Sequence, residues 1–368
     1  MNKAKIALGM QLQKGAFGGG NQFGNSLAGF LAGKGVDVVF DLKHEDIDLI
    51  VLTETRKYLK SCSFDPIDVA KYLLKNPDTL VVFRVNECDE RKGHRIKLLN
   101  RLIVRGTKIA DHTIFISEWL KEVYTKRDQS LIKKSSVIRN GADITIFNPD
   151  GYKKWNKKKL LRIVTHHWGA HWFKGFDVYL KLDALIKKKY KDKIEFTYIG
   201  SVPKNMEFEN TNIIPPKSGR ELAQEIKKHH IYLTASINEP AGMHHIEGAL
   251  CGLPLLYRTS GALPEYCKNF GVSFSGQADF EESLSKLIQE YDYWEEQMQY
   301  YENTAEKMCQ NYYDLFGDLI EEKRNIVSRR NLNRIALYKY VLSTKVIVVM
   351  TWIKERLYTI YNYAIAKA

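Results

Sequence analysis

Two glutamates eight positions apart, Glu239 and Glu247, lie in the stretch EPAGMHHIEGALCGLPLLYRTSGALPEYC (239–267). A carboxylate accepts hydrogen bonds from paired hydroxyls, so two at this separation suit the two ends of an elongated, hydroxyl-rich ligand. The segment IYLTAS reads as a strand, INEP as a loop and AGMHHIEGALCG as a helix stopped by Gly252. A helix that starts just after Pro240 points the free N–H groups of Ala241, Gly242 and Met243, with the positive end of its dipole, at the mouth of a strand. Glu239 would sit at that mouth and Glu247 about two turns further along. Read from spacing alone, a second account stays open: Glu239 as a helix cap and Glu247 as a solvated residue.

Positioning such a helix takes a parallel sheet, and the chain carries the pattern for two. KIALGM, VDVVF, DLIVLT, TLVVFRV and HTIFIS read as buried strands, separated by helix-like stretches at 22–33, 66–75, 95–108 and 117–126. After a polar, basic linker at 147–159, the series resumes. LLRIVTH, IEFTYIG, IYLTAS and PLLYR alternate with helices over 174–188, near 219–229 and over 242–251. Strands alternating with helices predict an α/β chain with two doubly wound, Rossmann-like domains, and ligands of such sheets bind beyond the strands' carboxyl ends. We expect domains at 1–150 and 151–320, then a helical tail at 321–368.

The 239–267 segment resembles the donor-binding segment of retaining GT-B glycosyltransferases of family 4. There, two glutamates separated by seven residues precede a GLP turn and a G-x-PE loop. Here these are Gly252-Leu253-Pro254, Gly261, Pro264 and Glu265. HHWGAHWFKGFDVYLKL (166–182), ADHTIFISEWLKEVY (110–124) and VIRNGADITIFNP (137–149) resemble further segments of that family in the expected order, over roughly residues 4–320. The resemblance implies a GT-B fold and sugar transfer from a nucleoside-diphosphate donor to a hydroxyl of a glycan or lipid-linked acceptor, with retention. Polysaccharide or glycoconjugate assembly is the usual setting. It also implies that Glu239 contacts the transferred sugar, Glu247 the ribose, and Lys174 the diphosphate, with no cofactor or metal required.

Further candidates cluster around these. His166 and His171 adjoin Lys174 on the donor side, where no arginine partner for Lys174 is evident. Gly19 and Gly20 of GAFGGGNQFGNSLAGFLAGKG can let backbone approach a phosphate or sugar, with Asn21 beside them on the acceptor side. The GxGxxxG at Gly18, Gly20 and Gly24 could instead signal a dinucleotide site, but the loop after Met10 is longer than such a fingerprint allows. In FRVNECDERKG (83–93), Arg84, Asn86, Glu87 and Asp89 follow a strand into the cleft, and Arg84, Asn86 and Asp89 are acceptor-side candidates; a charge-paired surface loop is the alternative. The histidine pairs show no zinc-ligand spacing, so no metal is expected. A non-catalytic sugar-binding protein on the same fold and an NAD(P)-dependent oxidoreductase are the rival functions.

Composition frames these readings. The 368 residues are 44% hydrophobic and 27% charged, with a net charge of +13 that favours anionic partners. The basic runs YKKWNKKK and IKKKYKDK come with no nucleic-acid recognition module, so nucleic acid is not expected as a partner. Five scattered cysteines without a CxxC pair fit a reducing, cytoplasmic setting. No uninterrupted run of 18 apolar residues marks a clear membrane span. The tail has six Lys or Arg against one Glu, with interleaved aromatics. It either packs back on the body or lies peripherally at an anionic membrane surface.

Overall fold

In the computed structural model, which describes residues 1, 3–13, 18–93, 96–204 and 206–365, two six-stranded parallel sheets face each other across a cleft. The first contains β1 (Lys5–Leu8), β2 (Asp37–Val39), β3 (Leu49–Leu52), β4 (Leu80–Val85), β5 (His112–Phe115) and β6 (Ser135–Val137), in the order β2-β1-β3-β4-β5-β6. The second contains β7 (Leu161–His167), β8 (Ile194–Gly200), β9 (Thr211–Ile214), β10 (Ile231–Thr234), β11 (Leu255–Arg258) and β12 (Gly271–Phe274), in the order β12-β11-β10-β7-β8-β9. Every residue of β3, β4, β10 and β11 is buried. That is why these strands read as continuous apolar runs: helices cover both faces of a parallel sheet.

The helices of the first half are α1 (Gly19–Gly33), α2 (Pro66–Leu73), α3 (Leu98–Thr107) and α4 (Glu118–Thr125). Those of the second half are α5 (Phe176–Leu185), α6 (Gly219–Ile226), α7 (Met243–Leu250), α8 (Leu263–Cys267), α9 (Phe280–Gln289) and α10 (Tyr291–Gln297). Local chemistry sets their starts. At α2, Asp65 accepts from the backbone N–H groups of Ile67 and Asp68, Asp68 answers to the Asp65 N–H, and Pro66 fills the first turn. Arg95, where the sequence pattern starts the third helix, lies outside the described residues; the observed helix begins at Leu98.

In both sheets the chain reverses direction beside the first strand, between β1 and β3 and between β7 and β10. These reversals open crevices at the carboxyl ends, and the two crevices form the walls of one cleft.

The chain then returns to the first domain. α11 (Ala305–Glu321) packs on α1, burying Met308, Cys309, Tyr312 and Phe316 in the core of the first sheet. Its helix face therefore belongs with the first domain, whereas the sequence pattern placed it with the second. α12 (Lys323–Ser328) follows, and Arg330 clamps the next turn to Asp111 and the Thr79 carbonyl.

The last helix, α13 (Arg334–Ile365), lies on α2 and α3. Its stretch Arg334–Lys354 is long and apolar enough to cross a membrane by length and composition, with a mean hydropathy of 1.3. The sequence pattern shows no such span, because Lys345 interrupts the run. In the structure, one face of this helix is packed on the body and the other is open.

Candidate functional site

The cleft is built around the loop between β10 and α7. Asn238 and Ala241 both take positive φ, 52° and 134°, and they bracket Glu239. Such backbone is strained for residues with a Cβ and persists only where surroundings hold it. Here Asn140 of the first domain donates through Nδ2 to the Ala241 carbonyl at 2.8 Å, and Ala262 N–H donates to the Glu239 carbonyl at 2.8 Å. Gly261, at φ 61°, makes room: a Cβ there would sit 2.4 Å from the Glu239 backbone. The α7 helix begins at Met243, two residues later than the sequence pattern placed it, so Ala241 belongs to the strained loop. Its first turn has no side-chain cap among the described residues, which leaves backbone N–H groups toward the cavity.

Glu239 and Lys174 meet at 2.8 Å with 3% and 8% of their side chains exposed. Burial alone would raise the Glu239 carboxyl. Lys174, Arg91 and His244 overcome it and hold the group well below the usual carboxylate range. Burial lowers Lys174, and Glu239 works against that. Glu247, on α7, accepts from Gln22 of α1 at 3.0 Å and shares a 2.6 Å hydrogen bond with His166 Nε2 at the end of β7. The other His166 nitrogen, Nδ1, is 2.8 Å from the Tyr232 hydroxyl, which fixes the ring's orientation.

The remaining histidines form a buried layer beneath. His167 Nε2 meets the Tyr179 hydroxyl at 2.7 Å and His244 Nε2 meets Thr234 Oγ1 at 2.8 Å. Both are held well below the usual histidine range, chiefly by burial, and so is His245, at about 4. Neither ring nitrogen of His245 has a hydrogen-bond partner among the described residues; its ring lies edge-on to Tyr266.

From the first domain, Gly18, Gly19, Gly20, Gln22, Arg84, Asn86 and Arg91 line the cavity. Gly19 abuts Met243, where a Cβ would fall 2.4 Å from its Cγ, while Gly20 has open space on that side. Residues 14–17 of the glycine loop lie outside the described residues. Arg84 is buried over the Phe23 ring at 3.7 Å and donates to Asn140.

Three expected contacts fall elsewhere. The Asn21 amide exchanges two hydrogen bonds with the backbone of Gln13, because the loop needs a partner for those groups, and so it pins the loop. The Asp89 carboxylate caps Asn100 N–H at the start of α3 and pairs with Lys354 of α13. His171 lies behind Lys174 and does not line the cavity; burial, then Lys174 and Arg91, push it down to about 3.

The missing arginine also turns up. Arg91, in the short helix Asp89–Lys92 after β4, reaches the cleft from the opposite domain and acts electrostatically on both Glu239 and Lys174. Its Nη1 donates to Glu87 at 2.8 Å. Arg91 and Gln22 were invisible to motif reading, since both act across the domain boundary; only the strand-end position of FRVNECDERKG pointed toward Arg91.

The two walls are clasped. Ser117 Oγ donates to the Pro240 carbonyl at 2.9 Å, and the Glu265 carboxylate accepts from Glu118 and Trp119 N–H at 2.8 and 2.6 Å, closing the start of α4. Glu265 of the G-x-PE loop is therefore an inter-domain cap. The cavity left between the walls is about 190 Å³.

No family model matches the chain. In sequence it is 25% identical over 204 residues to the gpi3 subunit of the Schizosaccharomyces pombe phosphatidylinositol N-acetylglucosaminyltransferase, covering 52% of this chain and 44% of that one. It is 24% identical over 187 residues to the corresponding phosphatidylinositol N-acetylglucosaminyltransferase polypeptide of Homo sapiens, covering 46% and 36%. The chain thus spans less than half the length of these curated relatives. Among solved structures, Anabaena HepE in complex with UDP and glucose superposes with a TM-score of 0.63 at 14% identity, over 86% of this chain and 100% of that one.

Proposed function

The chain has the GT-B fold and is related to the retaining family 4 glycosyltransferases; from that premise we propose that it transfers a sugar from a nucleoside-diphosphate donor to an acceptor hydroxyl, with retention of configuration. The observation that carries this reading is the placement of Glu239–Lys174 and Glu247–His166 in one cavity beyond the ends of β7 and β10. UDP, the nucleotide of the HepE complex, is the first donor base to try. A lipid-linked hydroxyl is the first acceptor class, by analogy with the names of both curated relatives.

In this reading the donor diphosphate takes over Lys174 from Glu239. The lysine then spans the phosphates with the uncapped N–H groups of α7, and Glu239 is freed to accept from the sugar hydroxyls. Glu247, already oriented by His166, accepts from the ribose. The acceptor oxygen bonds to the anomeric carbon on the face from which the phosphate leaves. The carbon–oxygen bond to the diphosphate breaks, and its oxygen takes the acceptor's proton. Lys174, Arg91 and the helix N-terminus stabilise the charge that grows there. The cavity of about 190 Å³ is below the ~300 Å³ at which ligand pockets begin, so the Ser117, Asn140 and Glu265 clasps must part to admit a donor.

Thermal shift with UDP, GDP, dTDP, ADP and NAD(P), on wild type and Glu247→Ala, tests this. At a hundredfold excess over Kd the correct nucleotide adds about 2.7 kcal/mol of stability, and the variant loses that shift. Stabilisation by NAD(P) alone would sink the transferase reading. Nucleotide binding with no release of nucleoside diphosphate from any sugar donor would favour a non-catalytic binder.

A further inference from the structure

The helix α13 has two unlike long faces. Leu337, Tyr340, Val341, Thr344 and Thr351 are buried against the body, and Tyr340 also donates its hydroxyl to the Arg105 carbonyl of α3 at 3.0 Å. Ile335, Tyr338, Leu342, Val346, Val349 and Ile353 are all exposed. At about 100° per residue these two sets lie on opposite sides of the helix. The exposed row is therefore the unpartnered face of a helix already fixed to the protein. Single exposed apolar side chains need no explanation, but a continuous row over five turns does.

We infer that this outward face is a docking surface for an anionic lipid bilayer, with α13 lying along the membrane interface and not crossing it. Charge complementarity selects the occupant. Arg334, Lys339, Lys345 and Arg356 are exposed on or beside the apolar row, and Arg356 stacks over Trp352 at 5.5 Å. Apolar side chains flanked by cations and an aromatic belt match the interfacial zone of a bilayer carrying negative headgroups. A spanning orientation conflicts with the packing. Only 28% of the apolar window is buried, yet that part forms one stripe held on α2 and α3 along most of its length. Crossing would strip this stripe and draw Lys339 and Lys345 into hydrocarbon.

The far end of the helix is tied to the cleft. Lys354 Nζ donates to the Asp89 carboxylate at 3.1 Å and to the Ile96 carbonyl at 2.7 Å, and Asp89 opens the short helix that carries Arg91. Exposed Ile96 extends the apolar surface at that point. A bilayer on this face thus lies next to the wall of the cleft supplied by the first domain. That it presents a lipid-linked acceptor there rests on the transferase reading above; the docking surface itself does not.

The test is co-sedimentation of the full chain with phosphatidylcholine vesicles, with and without phosphatidylglycerol. Wild type should partition onto the anionic vesicles. Leu342→Glu/Val346→Glu/Val349→Glu should lose partition by about tenfold or more, and so should Lys339→Glu/Lys345→Glu. Both variants change exposed side chains only, so melting temperature and the nucleotide-induced thermal shift should match wild type. Absence of wild-type partition, or equal partition by all three proteins, would overturn the proposal. So would a wild-type dimer that the apolar variant converts to monomer without any vesicle binding, since the face would then serve a second copy. If wild type binds vesicles but no nucleotide shifts its melting, the transferase reading fails and the lipid surface stands.

Discussion

Replacing Arg91 by alanine separates chemistry from stability. Arg91 pairs with Glu87 at 2.8 Å, with 27% and 19% of the two side chains exposed. Burial pushes Glu87 up, but Arg91 and Arg56 hold it down at about 2, and Arg56 remains in the variant. A part-exposed pair of this kind contributes about 1 kcal/mol or less. For a chain of this size that moves the melting temperature by about 2–4 °C at most. The chemical cost is of another order. If Arg91 faces charge growing on the leaving phosphate, its loss should lower kcat by about 10²–10³, the range for one preorganised donor removed from such a site. Ground-state nucleotide affinity should fall less than kcat, because the charge is greatest in the transition state. Arg91→Lys keeps the charge without the planar fork and should fall between the two. The assay is release of nucleoside diphosphate under saturating donor, with calorimetry for nucleotide affinity and a melting curve. A kcat within about twofold of wild type, alongside a lowered melting temperature, would refute the argument and leave Arg91 as a structural partner of Glu87.

Two further outcomes follow from the buried layer beneath the cleft. Gly248→Ala places a Cβ 2.2 Å from the Tyr232 ring, which is fully buried and orients His166. Overpacking should cost about 1–3 kcal/mol despite alanine's better helix propensity, and nucleotide affinity should drop as His166 and Glu247 lose their registry. An unchanged melting temperature and Kd would contradict this. His229 and His245, 3% and 0% exposed, both titrate near 4 when folded, with burial the main cause, against 6.5 in an unfolded chain. Because the folded values are depressed, the unfolded chain binds more protons as pH falls below 6.5, so stability is lost downward through that window and the loss ends near pH 4. At roughly 1.4 kcal/mol per pH unit for each group, the pair removes about 4 kcal/mol between pH 6.5 and 5. Urea unfolding at the two pH values measures it, and His245→Phe should remove about half of the slope; an unchanged slope would rule His245 out.

Much of this molecule was readable without coordinates, for physical reasons. Continuous apolar runs such as LIVL and LVVFRV can only be strands covered on both faces, and their alternation with amphipathic stretches dictates parallel sheets. Glu239 and Glu247 are legible because a strand, a loop and a helix start fix their relative positions within nine consecutive residues. Lys174, Asn86 and Gly20 follow strand ends or helix starts in the same way, and the structure brings them to the same cavity.

Asn21, Asp89 and His171 show where that logic stops. Each sits beside a cavity-lining residue in sequence, yet its side chain turns to a nearby backbone group, a distant lysine or a buried pocket, choices made by partners that local pattern does not name. Arg91 is the converse case. Its place opposite Lys174 depends on how two separately folded sheets face each other. The return of α11 to the first domain and the two-faced placement of α13 are decided the same way, by which apolar surfaces remain uncovered once the sheets have formed. Local sequence specifies elements and their ends through short-range sterics and hydrogen bonding. The pairing of charges across the cleft is long-range, and only the assembled tertiary structure determines it.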